Sequence, residues 1–541
     1  MLLRTGRIRV SGFMTAQHET SREKKHPHIT PVTLGTHKTT IAEIVAIAHG
    51  APVILDETAL ARLHELQASL QDAIAQKRRV YGLTTGVGDQ YSVLLSAEEI
   101  SNGQIGMLRS HACGIGAPHP HAVVRAIMAT MLRALLQGHS GVSASLVNTM
   151  AAMLNRGVVP CSPSKGSVGY LVATAHIGLV IFGEGEATYK GERLLGRVAM
   201  ERAGLTPLTP GPREGHALIS GTYEITAIGA LAFDHARRAL ELADLAGCMA
   251  LEAMRGNSRG YDADLQSLRP HPGQIKTAEI LRQLLADSQI MAANRDHRLQ
   301  DALSLRCIPQ VHGAVRDAMT YVGQVLETEI NAVTDNPVFF WRNNSYEALP
   351  GGNGHGAPTA LALDTLAIAI ASISNMSQAR SDRLTNTYLS GLPPFLAPQG
   401  SGLSGLMIPP YAAAAAAAEN RCLAAPSSVN SLSTCAGQED HTSMGIYAAQ
   451  KAFTAADNAL DVISIEFLCA AQALEYHQPL RAGRGVQAAY EAIRAHVPPR
   501  HGDTAIHPEL GALRALMDTD VLRACVRDAL TPRPSPSGEC P

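Results

Sequence analysis

The sequence carries no excess of charge of either sign: 45 Lys and Arg stand against 47 Asp and Glu, a formal net charge of −2. That balance removes the electrostatic reason to expect nucleic acid or an anionic membrane surface as a partner. It also lacks a charge-free apolar run of membrane-spanning length. Residues 355–380 come nearest, but Asp364 interrupts them, and a buried helix of a large bundle accounts for them better. No apolar stretch follows the basic Arg4, Arg7 and Arg9, and residues 15–29 are polar, so a signal peptide is not expected; Met14 is an alternative start. The nine cysteines include no Cys-x-x-Cys pair, which suits reduced, mostly buried thiols in a cytoplasmic protein. The 22 histidines include no His-Glu-x-x-His and no clustered ligand spacing, so no metal site is expected.

What is present is apolar surface: 46% hydrophobic residues in 541, with 17% charged, enough for a large core. Residues 1–35 are polar and aperiodic and are expected to be a disordered extension. Apolar residues then recur at helical spacing, Ile41, Ile44, Val45 and Ile47, then Leu60, Leu63, Leu66 and Leu70, on either side of a strand-like Ala51-Pro-Val-Ile-Leu55. Helices are predicted over 122–137 and 144–154, split at Gly138-His-Ser-Gly141. Long apolar helical patterns follow at 223–255, 357–385, 409–425 and 443–475. An average helix runs about 11–12 residues, so these suit the core of a helical bundle. The expected division is an N-terminal part with site loops over 36–225, a helical bundle over 226–530, and a disordered Pro/Ser tail over 531–541.

The stretch most suggestive of chemistry is Pro160-Cys-Ser-Pro-Ser-Lys-Gly-Ser-Val-Gly-Tyr170, which runs into an apolar helix carrying His176 and ending in Gly183-Glu-Gly-Glu186. A tight loop feeding a helix N-terminus aims free N–H groups and a positive dipole end at whatever precedes it. Further motifs follow the same pattern of polar residues framed by glycines or prolines. They are Tyr81-Gly-Leu-Thr-Thr-Gly-Val-Gly88, Leu108-Arg-Ser-His-Ala112, Arg213-Glu-Gly-His-Ala-Leu-Ile-Ser-Gly-Thr222 and Gln300-Asp-Ala-Leu-Ser-Leu-Arg-Cys-Ile-Pro-Gln310. The last three are Glu329-Ile-Asn-Ala-Val-Thr-Asp-Asn-Pro337, Gly351-Gly-Asn-Gly-His-Gly356 and Gly437-Gln-Glu-Asp-His441. The first could pass for a phosphate cradle, but it has no Lys-Ser/Thr and no preceding strand.

These motifs, in this order from about residue 39 to about 498, resemble the aromatic amino acid ammonia-lyase and aminomutase family, histidine ammonia-lyase among them. The resemblance implies a mainly α, fumarase/aspartase-like fold with a long central helical bundle and a smaller loop-rich N-terminal part. It implies a homotetramer whose sites are each shared by three chains, so that Tyr81, Arg306 and Glu439 meet across subunits. It also implies roles: Tyr81 as the base, Arg306 on the substrate carboxylate, His111 and Glu439 beside the substrate side chain, and Asn331 in a turn that shapes the site.

In that family an Ala-Ser-Gly triplet cyclises into an electrophilic methylidene-imidazolone. Here Gly169 is followed directly by Tyr170, where the family has the triplet and then Asp. Ser220, Leu303 and Gly354 stand where the family has Asn, Tyr and Phe. The missing triplet together with Tyr170, Ser220 and Leu303 makes four changes around one cofactor, which imply that the electrophile is absent, and hence no cofactor, while Gly354 for Phe opens volume for a bulkier substrate group. The expected reaction is therefore that of an ergothionase-type branch, in which trimethylamine leaves ergothioneine to give thiourocanate. Tyr170, Ser220, Leu303 and Gly354 would then line the pocket around the methyl groups. An ordinary histidine ammonia-lyase whose triplet is missing from the written sequence, with the imidazolone as cofactor, is the alternative, and a non-catalytic relative the second alternative.

Overall fold

The computed structural model describes residues 30–531, apart from 77, 81–82, 86–91 and 344. Four helices set the frame: Tyr223–Ala253, Ile308–Ile330, Ala357–Thr385 and Gly445–Leu474. Ala357–Thr385 and Tyr223–Ala253 both pack along Gly445–Leu474, and Pro409–Leu423 packs against Ala357–Thr385 and Gly445–Leu474. Alanine and glycine at the contacts let the helix axes approach closely. At Gly229, a Cβ would stand 2.9 Å from Leu326 and 3.1 Å from Leu363, so three helices meet over a position with no side chain.

Two clusters of charge inside the bundle are paired. The guanidinium of Arg380 donates two hydrogen bonds to Glu466, both side chains being fully buried. Asp244 accepts from Arg316 at 2.7 Å and pairs with the buried His312 at the same distance. Ala357–Thr385 is the one described helix long and apolar enough to cross a membrane, and its surroundings explain its composition. It lies mostly inside the bundle, and its Asp364 accepts from the backbone N–H groups of Ser427 and Ser428 and from Lys451 Nζ.

The N-terminal part is smaller and mixed. Val32–Leu34 pairs in parallel with Val53–Leu55, so a strand lies inside the stretch expected to be disordered. The helices His121–Leu135 and Ala144–Arg156 flank the glycines of 138–141, as their spacing predicts. Three short antiparallel pairings then bracket the loops of interest: Ile115–Pro118 with Pro163–Lys165, Val159–Pro160 with Glu186–Tyr189, and Val338–Arg342 with Ser345–Leu349. The rest of the predicted N-terminal extension, and the tail beyond residue 531, lie outside the described residues.

Candidate active site

After Lys165 the chain turns through Gly166, at φ +127°, and reaches the helix Val172–Ile181 in five more residues. The turn is pinned from both sides. Ser167 Oγ donates to the Tyr170 carbonyl at 2.8 Å and accepts from Gly169 N–H at 3.3 Å. The Val168 carbonyl accepts from Met444 N–H at 2.9 Å, which ties the loop to the start of Gly445–Leu474. Leu171 is held at φ +93° without being glycine. Such a backbone costs on the order of 1–3 kcal/mol and persists only where its surroundings enforce it.

This turn forms one wall of an open cavity of about 350 Å³. Tyr170 and Leu171 line one side, Gly351, Gly354 and His355 another, and Glu439 and His441 a third. The glycine wall is anchored from behind: Asn336 Oδ1 accepts from Gly351 N–H at 2.9 Å, and Asp335 is held by the buried Arg213 at 2.7 Å. Burial raises the Asp335 carboxyl above the usual carboxylate range, with Arg213 opposing the shift. Glu439 Oε2 accepts from Thr434 Oγ1 at 2.9 Å, which leaves the carboxylate exposed at the cavity edge. His355 Nε2 lies 3.0 Å from His441 Nδ1. One ring nitrogen must donate and the other accept, so the two imidazoles present complementary protonation on facing atoms. Both histidines stand inside polar motifs, His441 closing one and His355 one residue short of the end of another, and that placement was the available signal in the sequence.

A second cavity, also of about 350 Å³, contains Arg306, with Asn257, Arg259, Asp301 and Gln310 around it. Arg306 Nη1 donates to the Asp301 carbonyl at 2.7 Å, leaving the rest of a half-buried guanidinium to face the cavity. Leu303, one turn earlier, is 61% exposed and does not line the Tyr170 cavity. His111 closes the helix Ala97–His111, with Nδ1 2.8 Å from the Met107 carbonyl, and lines neither cavity. Within one chain, then, Tyr170, Gly354 and Glu439 come together, while Arg306 and His111 stand apart from them. Tyr81 lies outside the described residues.

Two expected site residues are taken up by the fold. Asn331 Oδ1 accepts from Thr39 N–H at 2.8 Å and Arg133 Nε at 3.2 Å, and its amide donates to the carbonyls of Thr39 and Glu327. Ser220 is 2% exposed, and its hydroxyl accepts from Asn336 N–H at 3.1 Å. His176, on the helix after the turn, accepts from Gly114 N–H at 3.2 Å, and burial lowers its pKa, which keeps the ring neutral. Among the described residues, no group of three or more His, Cys, Asp or Glu side chains stands close enough to hold a metal ion.

A family model described as aromatic amino acid lyase matches residues 39–495. A curated relative from Symbiobacterium thermophilum, named histidine ammonia-lyase, is 44% identical over 93% of this chain and 99% of its own length. The solved structure of histidine ammonia-lyase from Trypanosoma cruzi superposes with a TM-score of 0.87 at 33% identity, over 92% of this chain and 96% of its own. That of ergothionase from Treponema denticola gives 0.84 at 29% identity, over 91% and 99%.

These findings correct two expectations. Further curated relatives at 40–42% identity also bear the name histidine ammonia-lyase, so histidine replaces ergothioneine as the substrate to consider. The expectation of no cofactor falls with it, because histidine ammonia-lyases are the enzymes to which the methylidene-imidazolone belongs. The physical reason for the misjudgement is visible in the chain. Within one chain, the four positions expected to line one pocket do not all meet: Ser220 bonds Asn336 N–H, neither Ser220 nor Leu303 lines the Tyr170 cavity, and of the four only Tyr170 and Gly354 do. The turn itself disagrees with the group, since Gly169-Tyr170-Leu171 runs straight into the helix and holds no Ala-Ser-Gly to cyclise. No chemical step is therefore assigned to the imidazolone in this chain.

Proposed function

The chain belongs to the aromatic amino acid lyase family, and on that premise we propose that it is a carbon–nitrogen lyase acting on L-histidine, releasing ammonia and leaving the α,β-unsaturated imidazole acid. The observation that carries the proposal is 44% identity to a histidine ammonia-lyase along 93% of the chain, far beyond what a shared fold requires. Elimination needs a cationic seat for the α-carboxylate, a base for a β-proton and polar contacts for the imidazole. Arg306 is the seat: a guanidinium matches a carboxylate with two parallel hydrogen bonds, and among the described residues only its Nη1 is engaged, by the Asp301 carbonyl. Tyr81 is the base. Glu439, exposed at the rim of the Tyr170 cavity, accepts from an imidazole N–H, and His111 flanks the same ring.

That Arg306 and Glu439 line different cavities of one chain supports a site shared between subunits of the homotetramer that the family resemblance implies, with the Arg306 cavity of one subunit opposed to the Tyr170 cavity of another. Leu299 at 97% and Leu303 at 61% exposure beside Arg306 are apolar surface suited to such a contact. The compartment is the cytoplasm; every described cysteine is unpaired.

The test is to mix an Arg306→Ala variant, inactive by loss of the carboxylate seat, with a Glu439→Ala variant. After dissociation and reassembly, ammonia release from L-histidine should reappear, since some sites then hold both intact residues. Activity in neither the wild type nor the mixture would overturn the proposal; activity in the wild type alone would overturn the shared site.

A further inference from the structure

We infer that Tyr170 and Gly354 form one coupled specificity element: the bare Cα of Gly354 seats the Tyr170 ring, and the seated ring sets how large a substrate ring the cavity admits. This deepens the histidine proposal and rests on it for the identity of the ligand. A Cβ added at Gly354 would stand 3.2 Å from Cε1 and Cζ of Tyr170, and also 3.2 Å from the Thr334 carbonyl oxygen. The carbonyl is backbone and cannot yield, so the tyrosine ring would have to. By contrast, Gly351 and Gly352, on the same wall of the cavity, would meet nothing within 4 Å. Position 354 is thus the one point on that wall where size and the Tyr170 ring exclude each other.

The ring cannot escape by a loop shift. The Tyr170 carbonyl is held by Ser167 Oγ, the Val168 carbonyl by Met444 N–H, and Leu171 is locked at φ +93° immediately before the helix. A side chain larger than a methyl at 354 must therefore press on the Tyr170 ring, in a cavity that Glu439 and His441 also line. The ligand class that fits the seated arrangement is an amino acid with a small five-membered heteroaromatic ring. A phenyl or phenol ring is larger than an imidazole and would press harder on the seated Tyr170 ring.

The test is a double-variant cycle on the full-length protein: wild type, Tyr170→Ala, Gly354→Phe and the two combined. Rates of ammonia release from L-histidine and L-phenylalanine are compared as the ratio of their kcat/KM values, and each protein's thermal midpoint is recorded. Gly354→Phe alone should lower kcat/KM for histidine by about tenfold, the scale of a contact-coupled pair, and Tyr170→Ala in the same chain should restore most of it. Tyr170→Ala alone should shift the ratio toward phenylalanine, which a purely structural role would not do. Equal effects of Gly354→Phe in both backgrounds would overturn the inference. If the wild type releases no ammonia from histidine, the histidine proposal fails by itself. The midpoints then decide the pairing, since steric exclusion needs no ligand: a Gly354→Phe loss relieved by Tyr170→Ala supports it, and an unrelieved loss refutes it.

Discussion

Replacing Asp335 by alanine should be among the most damaging single changes behind the cavity wall. Its carboxylate and the Arg213 guanidinium are both fully buried, 2.7 Å apart. Arg213 also donates to the Pro337 carbonyl at 3.0 Å. Removing the carboxylate strands a cation in the interior, a loss of about 3–5 kcal/mol where one partner of a buried pair is deleted. At 1.4 kcal/mol per factor of ten, that is roughly a hundred- to several-thousand-fold in the unfolding equilibrium. Removing both charges with similar volume, as in Arg213→Met with Asp335→Leu, should recover most of the loss, because the pair's attraction mainly offsets its own desolvation. Asp335 also accepts from Asn336 N–H at 2.7 Å, and Asn336 anchors Gly351 in the cavity wall, so Asp335→Ala should impair turnover even well below its melting temperature. Denaturant unfolding of the two variants beside the wild type measures this. If Asp335→Ala lies within about 1 kcal/mol of wild type, the pair is solvated and the buried-pair account is wrong.

Other outcomes follow from the same physics. Burial pushes the Glu252 carboxyl up to about 7, although Gly483 N–H donates to both of its oxygens. Because the folded value lies above the unfolded one, this group's stabilisation is complete at pH below about 4.5 and is lost as pH rises through 7, a swing of about 3 kcal/mol. Glu252→Gln should flatten that part of the thermal-midpoint profile between pH 5 and 8, and parallel profiles for variant and wild type would contradict it. Arg306→Lys keeps the charge but not the fork, so kcat/KM for histidine should fall by about ten- to a hundredfold and by more for Arg306→Ala; equal values for the two would deny a bidentate seat. Glu439→Gln keeps the shape but weakens acceptance from an imidazole N–H, so it should raise KM for histidine and leave KM for phenylalanine unchanged.

Much of the helical frame was legible because its signals are local. The run 357–385 coincides with the helix Ala357–Thr385, and Asp364, which breaks its apolar pattern, is explained by the backbone N–H groups of Ser427 and Ser428. The Gly138–Gly141 break and the strand at Val53–Leu55 were readable for the same reason. The site was less so, because its parts are set by contacts between distant segments. Nothing near Asn331 in the chain announces that its amide ties Thr39 to Glu327, 292 residues from the one and four from the other. Nor does the spacing of Ser220 reveal its bond to Asn336. Treating four substituted positions as one cluster assumed a proximity that only the fold could supply, and that assumption led to ergothioneine and to an enzyme without a cofactor. The Tyr170–Gly354 contact, where a lost ring in one motif faces a gained ring in another, was present in the sequence as two facts with no link between them.

The measurement that bears most directly on the whole account is product analysis of the purified wild-type protein incubated with L-histidine. The account predicts ammonia and the unsaturated imidazole acid in equal amounts, with L-phenylalanine and L-tyrosine consumed far more slowly. Intact histidine after prolonged incubation, with no ammonia formed, would contradict it.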